Sequence, residues 1–351
     1  MGQPGLAKIS WPPPEFYNFA TDVVDKWAAE KNNKVAMVWT NGQKTVELTF
    51  RDISEKSKRL AEGLVKLGCN RDDIVLLIMG REIEWWIALT ACLRMGAVCS
   101  PGTTQLSSDD IAYRIRAAEA TCVITDHENA QKVEKICQIC PSLKTKIKIG
   151  EVQNDWKNLN SIIKESNPSF TALKTRSIDR ALCYFTSGTT GYPKMTIHNH
   201  SYGYAHQITG RNWLDLTSGD LHWNISDNGW AKAAYSSYFG PWNQGAALFV
   251  SNNPIFTPKE TIKMLMQYPI STMCGAPTVY RMLIQEDLSD FKPLNLRHCV
   301  GAGEPLNPEV IETWEKATGL IIRDGYGQTE TVLICGNLPN GEVRLGSMGK
   351  P

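Results

Sequence analysis

The most informative part of the sequence is the string Tyr184-Phe185-Thr186-Ser187-Gly188-Thr189-Thr190-Gly191-Tyr192-Pro193-Lys194. It continues the apolar run from Ala181 to Phe185, which predicts a strand that ends in a loop of hydroxyls and glycines. Glycines bring backbone N–H groups close to an anion, the hydroxyls add donors, and the lysine adds a positive charge. An ordinary connecting loop rarely needs all three features together. The string therefore predicts a polyphosphate-binding loop, and its glycine and lysine spacing excludes a Walker loop.

Two further polar strings follow apolar runs in the second half of the chain. They are Gly301-Ala302-Gly303-Glu304-Pro305-Leu306, after His298 to Val300, and Asp324-Gly325-Tyr326-Gly327-Gln328-Thr329-Glu330, after Leu320 to Ile322. Open α/β sheets bind ligands beyond the carboxyl ends of their strands, so we expect the three strings to converge there. Taken singly, each has an ordinary alternative. Glu330 alone is typical of a solvated surface carboxylate and Tyr326 of a core residue, and Gly301-Ala302-Gly303 alone is a weak signal that lacks the third glycine of a dinucleotide fingerprint.

Apolar runs alternate with amphipathic stretches along the chain and predict an α/β fold with two layered subdomains and largely parallel sheets. The predicted strands cover 74–79, 97–100, 121–125, 181–185, 270–274, 298–300 and 320–322. The predicted helices cover 16–30, 50–67, 82–95, 109–120, 257–268, 278–285 and 307–319, of which 257–268 opens on the capping box Thr257-Pro258-Lys259-Glu260. Residues 1–15 are interpreted as an extended leader, and the approximate subdomains as 51–200 and 201–345. The stretch 126–180 is more polar and is interpreted as irregular, and in part as the passage between them.

Composition narrows the class of protein. The chain has 351 residues, of which 42% are hydrophobic and 21% charged, which is typical of globular proteins. Its net charge of +1 argues against nucleic acid as a partner, and its longest apolar run, 85–93, is too short to span a membrane. The ten cysteines lie mostly in apolar runs, as free thiols do in a reducing compartment. Cys137-Gln138-Ile139-Cys140 lacks a second pair for a zinc site, and His198-Asn199-His200 is interpreted as polar loop residues.

In this order, the three strings resemble the signature motifs of the adenylate-forming acyl-CoA synthetases, and the resemblance extends from about Phe16 to the last residue. Four intervening strings resemble the medium-chain branch of that superfamily: Trp213-Leu214-Asp215-Leu216, Trp223-Asn224-Ile225-Ser226-Asp227, Gly229-Trp230-Ala231-Lys232 and Pro241-Trp242-Asn243-Gln244-Gly245-Ala246. The resemblance implies a ligase that uses ATP, Mg²⁺ and coenzyme A to activate medium-chain fatty acids. Residues 16–351 would be its AMP-binding N-terminal domain.

The resemblance also implies roles for single residues. The string from Thr186 to Lys194 would hold the β and γ phosphates, Glu330 would bind Mg²⁺, and Thr329 would contact the α-phosphate and the substrate carboxylate. Thr186, Thr329 and Glu330 would thus be the catalytic residues. The adenine would be flanked by Gly301 to Pro305 and by Asp324 to Tyr326, and Gly327 and Gln328 would complete the nucleotide site.

Two further positions concern the acid and coenzyme A. Trp230 would line the acyl tunnel, with a place in the core as its alternative. Gln105, in Pro101-Gly102-Thr103-Thr104-Gln105-Leu106, would touch coenzyme A, with a polar residue before a helix as its alternative. Asn228 stands where the resemblance leads us to expect threonine, which leaves the preferred chain length open.

The sequence ends on Gly349-Lys350-Pro351, where family members continue through a small barrel and a mobile C-terminal domain that carries the lysine bridging the carboxylate and the α-phosphate. We therefore expect the N-terminal part only, with weak ATP binding and no useful rate of acyl-CoA formation. A catalytically deficient nucleotide- or acyl-binding fragment is the alternative. The resemblance implies the mitochondrial matrix as the location. Met1 to Ser10 resemble no transit peptide, and without the resemblance the sequence would indicate the cytoplasm. Oligomeric state stays open.

Overall fold

The computed structural model describes residues 9–30, 33–186, 191–253 and 255–351. In these residues the strands are, in chain order, β1 (Val35–Thr40), β2 (Thr45–Thr49), β3 (Ile74–Ile78), β4 (Val98–Gly102), β5 (Cys122–Thr125), β6 (Thr145–Lys148), β7 (Lys157–Asn158), β8 (Arg180–Thr186), β9 (Lys194–Asn199), β10 (Leu221–Ile225), β11 (Ala247–Ser251), β12 (Thr272–Gly275), β13 (His298–Ala302), β14 (Ile322–Gly327) and β15 (Leu333–Gly336).

The α-helices of the described residues are Lys26–Glu30, Phe50–Lys66, Ile83–Met95, Ser108–Ala118, His127–Glu134, Leu159–Glu165, Ser201–Ile208, Ala231–Ala234, Gly240–Asn243, Pro258–Gln267, Pro277–Leu283 and Pro308–Thr318. Wider π-helical turns cover Ala20–Asp25, Thr209–Trp213 and Tyr235–Phe239, and a 3₁₀ turn covers Cys137–Ile139. None of the helices in the described ranges combines the length and the apolarity that a membrane crossing requires.

The first sheet has the strand order β7-β6-β5-β3-β4-β8-β9 and is parallel except for the β8–β9 pair. The interpretation of 126–180 as irregular was wrong, because this stretch supplies β6 and β7 at one edge of the sheet together with two α-helices. A sequence as polar as Thr145–Lys148 forms a buried strand because Lys146 is paired. Its ammonium lies 2.7 Å from both Glu134 and Asp155.

The second sheet has the strand order β15-β14-β13-β12-β10-β11-β1-β2. Its centre is parallel, and antiparallel pairs β1–β2 and β14–β15 close the two edges. The hairpin of β1 and β2 comes from before residue 51, and β1 pairs in parallel with β11. The sequence pattern predicted no strand there, and the subdomain boundaries of 51–200 and 201–345 stay a prediction. The predicted α/β class with two largely parallel sheets is confirmed.

Most predicted elements recur within two residues, and the exceptions have local causes. The helix predicted from residue 16 begins at Ala20, because the Asn18 carboxamide accepts the Ala20 N–H at 3.1 Å and holds the preceding residues outside the helix. The helix from Pro258 begins where predicted, but the Thr257 side chain makes no capping hydrogen bond. A complete capping box forms at Thr49, whose hydroxyl oxygen accepts the Asp52 N–H while the Asp52 carboxylate accepts the Thr49 backbone N–H.

Candidate nucleotide and acyl site

A cavity of about 700 Å³ opens where strands of both sheets end. From the first sheet it receives Thr186 at the end of β8, and from the second the ends of β10, β12, β13 and β14. Its lining residues are Thr186, Tyr202, Ile225, Ser226, Asp227, Trp230, Ala231, Lys232, Tyr235, Ala276, Ala302, Gly303, Glu304, Gly327, Gln328, Thr329, Glu330, Thr331 and Val332. Residues from all three polar strings therefore meet at one site, as the parallel topology requires.

The first string reaches this cavity through Thr186, which is half-buried. Ser187, Gly188, Thr189 and Thr190 lie outside the described residues. On the far side of the loop, Gly191 has a φ of +84°, a conformation that side chains other than hydrogen disfavour. Lys194 is exposed and lies opposite Thr186 in the antiparallel register of β8 and β9. The two ends of the loop are thus adjacent, with a cation on one end and a hydroxyl on the other.

An aromatic contact holds the end of this loop that contains Tyr192 and Pro193. Tyr113, on helix Ser108–Ala118, stacks on Tyr192 at a ring-centroid distance of 4.8 Å. Its phenol also donates a hydrogen bond of 2.8 Å to the Pro193 carbonyl. Tyr192 remains 76% exposed, so the contact fixes the backbone of the loop and leaves most of the Tyr192 ring in solvent.

The third string lies partly inside a strand. β14 extends to Gly327, so Asp324 to Gly327 form strand rather than the loop predicted after residue 322. The glycine at 325 is required by packing, because a Cβ there would come within 2.7 Å of the Trp213 indole. Of this string, only Gln328, Thr329 and Glu330 lie in the turn beyond the strand. Together with Gly327 they line the cavity.

His198 anchors that turn. Its Nε2 donates a hydrogen bond of 2.6 Å to the Thr329 carbonyl, and its ring stacks on Tyr202 at 4.0 Å. Burial lowers the pKa of His198, so the ring is neutral and serves as a donor to a backbone oxygen. The interpretation of this histidine as a polar loop residue was wrong, since it is buried in β9. Glu330 is exposed on the cavity rim, and its carboxylate makes no hydrogen bond or ion pair with another described residue.

The second string divides between strand and turn. Gly301 and Ala302 end β13, and Gly303 follows with a φ of +109°, which turns the chain into the cavity. Ala302, Gly303 and Glu304 line the cavity, whereas Gly301 and Pro305 do not. The Glu304 carboxylate is already engaged, because Arg281 lies 2.7 Å away and the Thr278 hydroxyl donates to it at 2.9 Å. This part of the string therefore presents backbone rather than a free carboxylate.

Asp324 and Tyr326 lie beside the cavity and do not line it. Asp324 is 4% exposed, and its Oδ1 accepts the Gly325 N–H at 2.9 Å. Burial raises the pKa of this carboxyl to about 6. Tyr326 is 38% exposed. The predicted contact of both with adenine stays a prediction.

Asp324→Asn is expected to stabilise the fold in a pH-dependent way. The folded pKa of about 6 lies above the ordinary value of 3.8, so folding with an ionised Asp324 is penalised. The penalty is absent below the ordinary pKa, grows through this window and is complete above about pH 6. The variant should therefore gain up to about 3 kcal/mol in unfolding free energy at neutral pH and little at pH ~4. Urea unfolding at both pH values measures the gain, and an equal gain at both would contradict the assignment.

The two residues predicted for the acid and coenzyme A, Trp230 and Gln105, follow β10 and β4. Trp230 is 58% exposed and lines the cavity, so the alternative of a core tryptophan is wrong. The preceding Gly229 packs against the segment at the end of β4, where an added Cβ would lie 2.1 Å from the Thr103 nitrogen. Gln105 follows in that segment, is exposed, and does not line the cavity.

Sequence reasoning missed several cavity residues, above all Asp227 and Lys232. Asp227 is half-buried and accepts the Gly229 N–H at 2.8 Å, and burial raises the pKa of its carboxyl. Lys232 donates to the Ala302 carbonyl at 2.9 Å, and burial lowers the pKa of its ammonium. The signal for Lys232 was available, because it stands alone as a charge between Ala231 and Ala233 in an otherwise apolar run.

Residues 24–351 match the family model described as AMP-binding enzyme. The chain belongs to this family. Among curated proteins it is similar to the mitochondrial acyl-coenzyme A synthetase ACSM3 of Homo sapiens, at 45% identity over 348 residues, which cover 96% of this chain and 59% of that protein. It is also similar to the mitochondrial acyl-coenzyme A synthetase ACSM4 of Rattus norvegicus, at 43% identity, with coverage of 97% and 60%. The chain thus spans about three fifths of the length of these relatives.

Two solved structures share the fold. A Brucella canis acyl-CoA synthetase superposes with a TM-score of 0.88 at 26% identity, covering 95% of this chain and 62% of that one. The anthranilate CoA ligase AuaEII, solved in complex with anthranoyl-AMP, superposes with a TM-score of 0.87 at 26% identity, covering 97% and 65%. The resemblance to acyl-CoA synthetases inferred from the three strings is therefore confirmed.

Proposed function

We propose that this chain carries the ATP and acyl platform for converting a medium-chain carboxylic acid to its acyl-adenylate and then to acyl-CoA. The observation that supports the proposal most is the single cavity in which Thr186, Trp230 and the turn from Gln328 to Glu330 meet. A phosphate-binding loop, an apolar wall and a polar turn at one sheet edge are the parts that joining an acid to a nucleotide needs. The names of the relatives and of both solved structures agree with it.

The chemistry of adenylation requires particular roles from the residues around the cavity. The acid's carboxylate oxygen would form a bond to the α-phosphorus of ATP as the bond to pyrophosphate breaks. Negative charge then grows on the phosphates, so the step depends on positioned donors and cations rather than on a protein nucleophile. Thr186 and Lys194 would supply a hydroxyl and an ammonium at the phosphate loop. Thr329 would contact the carboxylate and the α-phosphate from a backbone that His198 holds in place.

Glu330 is the residue proposed to hold Mg²⁺. Its carboxylate is exposed on the cavity rim and makes no hydrogen bond or ion pair within the described part of the chain, so its oxygens are available to a cation. Mg²⁺ usually keeps several waters and binds one or two carboxylates together with substrate phosphates, which fits a single glutamate beside a phosphate loop. The cation would neutralise charge on the phosphates when bound.

Coenzyme A would open the mixed anhydride through its thiol, releasing AMP. Gln105 is the described residue proposed for contact with it, since Gly102 and Thr103 of the same segment pack against Gly229 beside Trp230. By similarity to the mitochondrial relatives, we propose the mitochondrial matrix as the location.

Pyrophosphate exchange into ATP tests the proposal directly. We expect exchange that depends on added butyrate or hexanoate, because exchange reports adenylation and does not require coenzyme A. Binding of ATP or acid without any exchange would favour the alternative, a catalytically deficient binding fragment.

Trp230→Ala is expected to shift acid preference toward bulkier acids while leaving the fold intact. The ring is 58% exposed, so its loss should cost far less than the roughly 3–5 kcal/mol typical of a buried tryptophan. The matched control is Trp11→Ala, which removes a tryptophan that is 65% exposed and lies outside the cavity. Binding of a series of acids of increasing bulk, next to a thermal melt, measures both effects. An unchanged series for Trp230→Ala would exclude Trp230 from the acyl wall.

A further inference from the structure

Lys232 is a cation in the wall of the cavity with unused hydrogen-bond donors. It is the second residue of helix Ala231–Ala234 and lies two residues after Trp230. Its Nζ donates a hydrogen bond of 2.9 Å to the Ala302 carbonyl. This is the one hydrogen bond of the ammonium within the described part of the chain. An ammonium carries three N–H bonds, so two remain for another acceptor.

The carboxylates around Lys232 do not pair with it. Glu304 is bound to Arg281 at 2.7 Å, and Asp324 accepts the backbone N–H of Gly325. No ion pair within 4.0 Å joins Lys232 to a carboxylate in the described ranges. A half-buried ammonium with one neutral acceptor is costly, and the lowered pKa of Lys232 reflects the same burial.

The position of Lys232 in the cavity indicates what kind of oxygen it faces. It lies two residues after Trp230, the residue proposed for the acyl wall, and its one bond to the string proposed to flank adenine goes to the Ala302 backbone carbonyl, so its other two N–H bonds are not used there. Thr329, proposed for the reacting carboxylate, approaches from the separate turn after β14. The acyl part of a bound acid, rather than its reacting carboxylate, would therefore lie beside the ammonium.

We infer that Lys232 is a specificity-determining residue that donates to an oxygen substituent on the acyl part of the acid. The preferred substrates would be acids with a hydroxyl, oxo or second carboxylate group, over unsubstituted acids of equal length. An aliphatic chain alone would leave the two N–H bonds unpaired in the bound state, whereas a substituent oxygen would satisfy at least one. This inference rests on the proposed function, because it assumes that an acid occupies the cavity.

Calorimetric binding of hexanoate, 2-hydroxyhexanoate, 3-hydroxyhexanoate and adipate, in the presence of AMP, tests the inference without requiring turnover. The wild-type chain should bind at least one oxygenated acid about tenfold or more tightly than hexanoate. Lys232→Met keeps the length of the side chain and removes the charge, and it should abolish that ratio. Lys232→Arg keeps a cation and should retain part of it.

Two outcomes would overturn the inference: equal binding of all four acids by the wild-type chain, or the same ratio in Lys232→Met as in wild type. If Lys232→Met fails to fold, Lys232→Gln replaces it, because its amide can still donate to the Ala302 carbonyl while the charge is gone. Pyrophosphate exchange separates this inference from the proposed function. A Lys232-dependent binding ratio without exchange would count against adenylation alone, whereas exchange at equal rates with all four acids would count against Lys232 alone.

Discussion

Replacing Asp25 by alanine is expected to lower the free energy of unfolding by about 3–5 kcal/mol, because it leaves a buried guanidinium without its counter-ion. Arg94 is completely buried, and two of its nitrogens donate to the two Asp25 carboxylate oxygens at 2.8 Å each. Its remaining side-chain partner is the Ser57 hydroxyl at 3.2 Å. Burial would raise the pKa of Asp25, but the hydrogen bonds and charge of Arg94 hold it below its ordinary value.

The sign of the pH dependence follows from that lowered pKa. The stabilisation from ionised Asp25 is complete above the ordinary pKa of 3.8 and is lost as the pH falls through the lower folded value. Urea unfolding at neutral pH measures the cost of Asp25→Ala. Glu30→Ala is the matched control, because it removes a carboxylate of the same region whose pairing with Lys26, at 3.8 Å, is exposed. That pair should contribute at most about 1 kcal/mol. Equal small losses in both variants would contradict the role given to Asp25.

Lys194→Ala is expected to weaken Mg-ATP binding by roughly 1.5–3 kcal/mol, which is about ten- to a hundredfold in Kd. The lysine is exposed, so the unliganded fold does not need it. It lies opposite Thr186, where the strand enters the cavity, and a phosphate held there would gain a charge-assisted hydrogen bond from its ammonium. Equilibrium titration with Mg-ATP measures the change.

The control for that measurement is Lys164→Ala, since Lys164 is also exposed and lies on helix Leu159–Glu165, away from the cavity. It should leave both the Kd and the thermal midpoint unchanged. A Kd for Lys194→Ala equal to that of the control would remove Lys194 from the phosphate site. A lower thermal midpoint for Lys194→Ala alone would instead indicate that the lysine supports the β8–β9 pair.

Local patterns in the sequence were sufficient for much of the fold. The amphipathic pattern predicted helices over 50–67 and 307–319, and they are observed at Phe50–Lys66 and Pro308–Thr318. Helix caps and periodic apolar faces depend on neighbours within a few residues, so the sequence alone contains their cause. The convergence of the three strings was also predictable, because parallel strands end at one edge of a sheet.

Tertiary contacts decided the rest. The hairpin of β1 and β2 joins the second sheet through its pairing with β11, some two hundred residues away, and no local pattern specifies that partner. The polar strand β6 is buried because Glu134 and Asp155 meet Lys146 there. The raised pKa of Asp324 and the contact of the Lys232 ammonium with the Ala302 carbonyl likewise depend on packing among distant residues. Sequence by itself thus determined the elements that have local signals and the sheet edge at which the three strings converge. The folded structure determined which charges are buried at that edge, because burial and long-range pairing exist only once the sheets have packed.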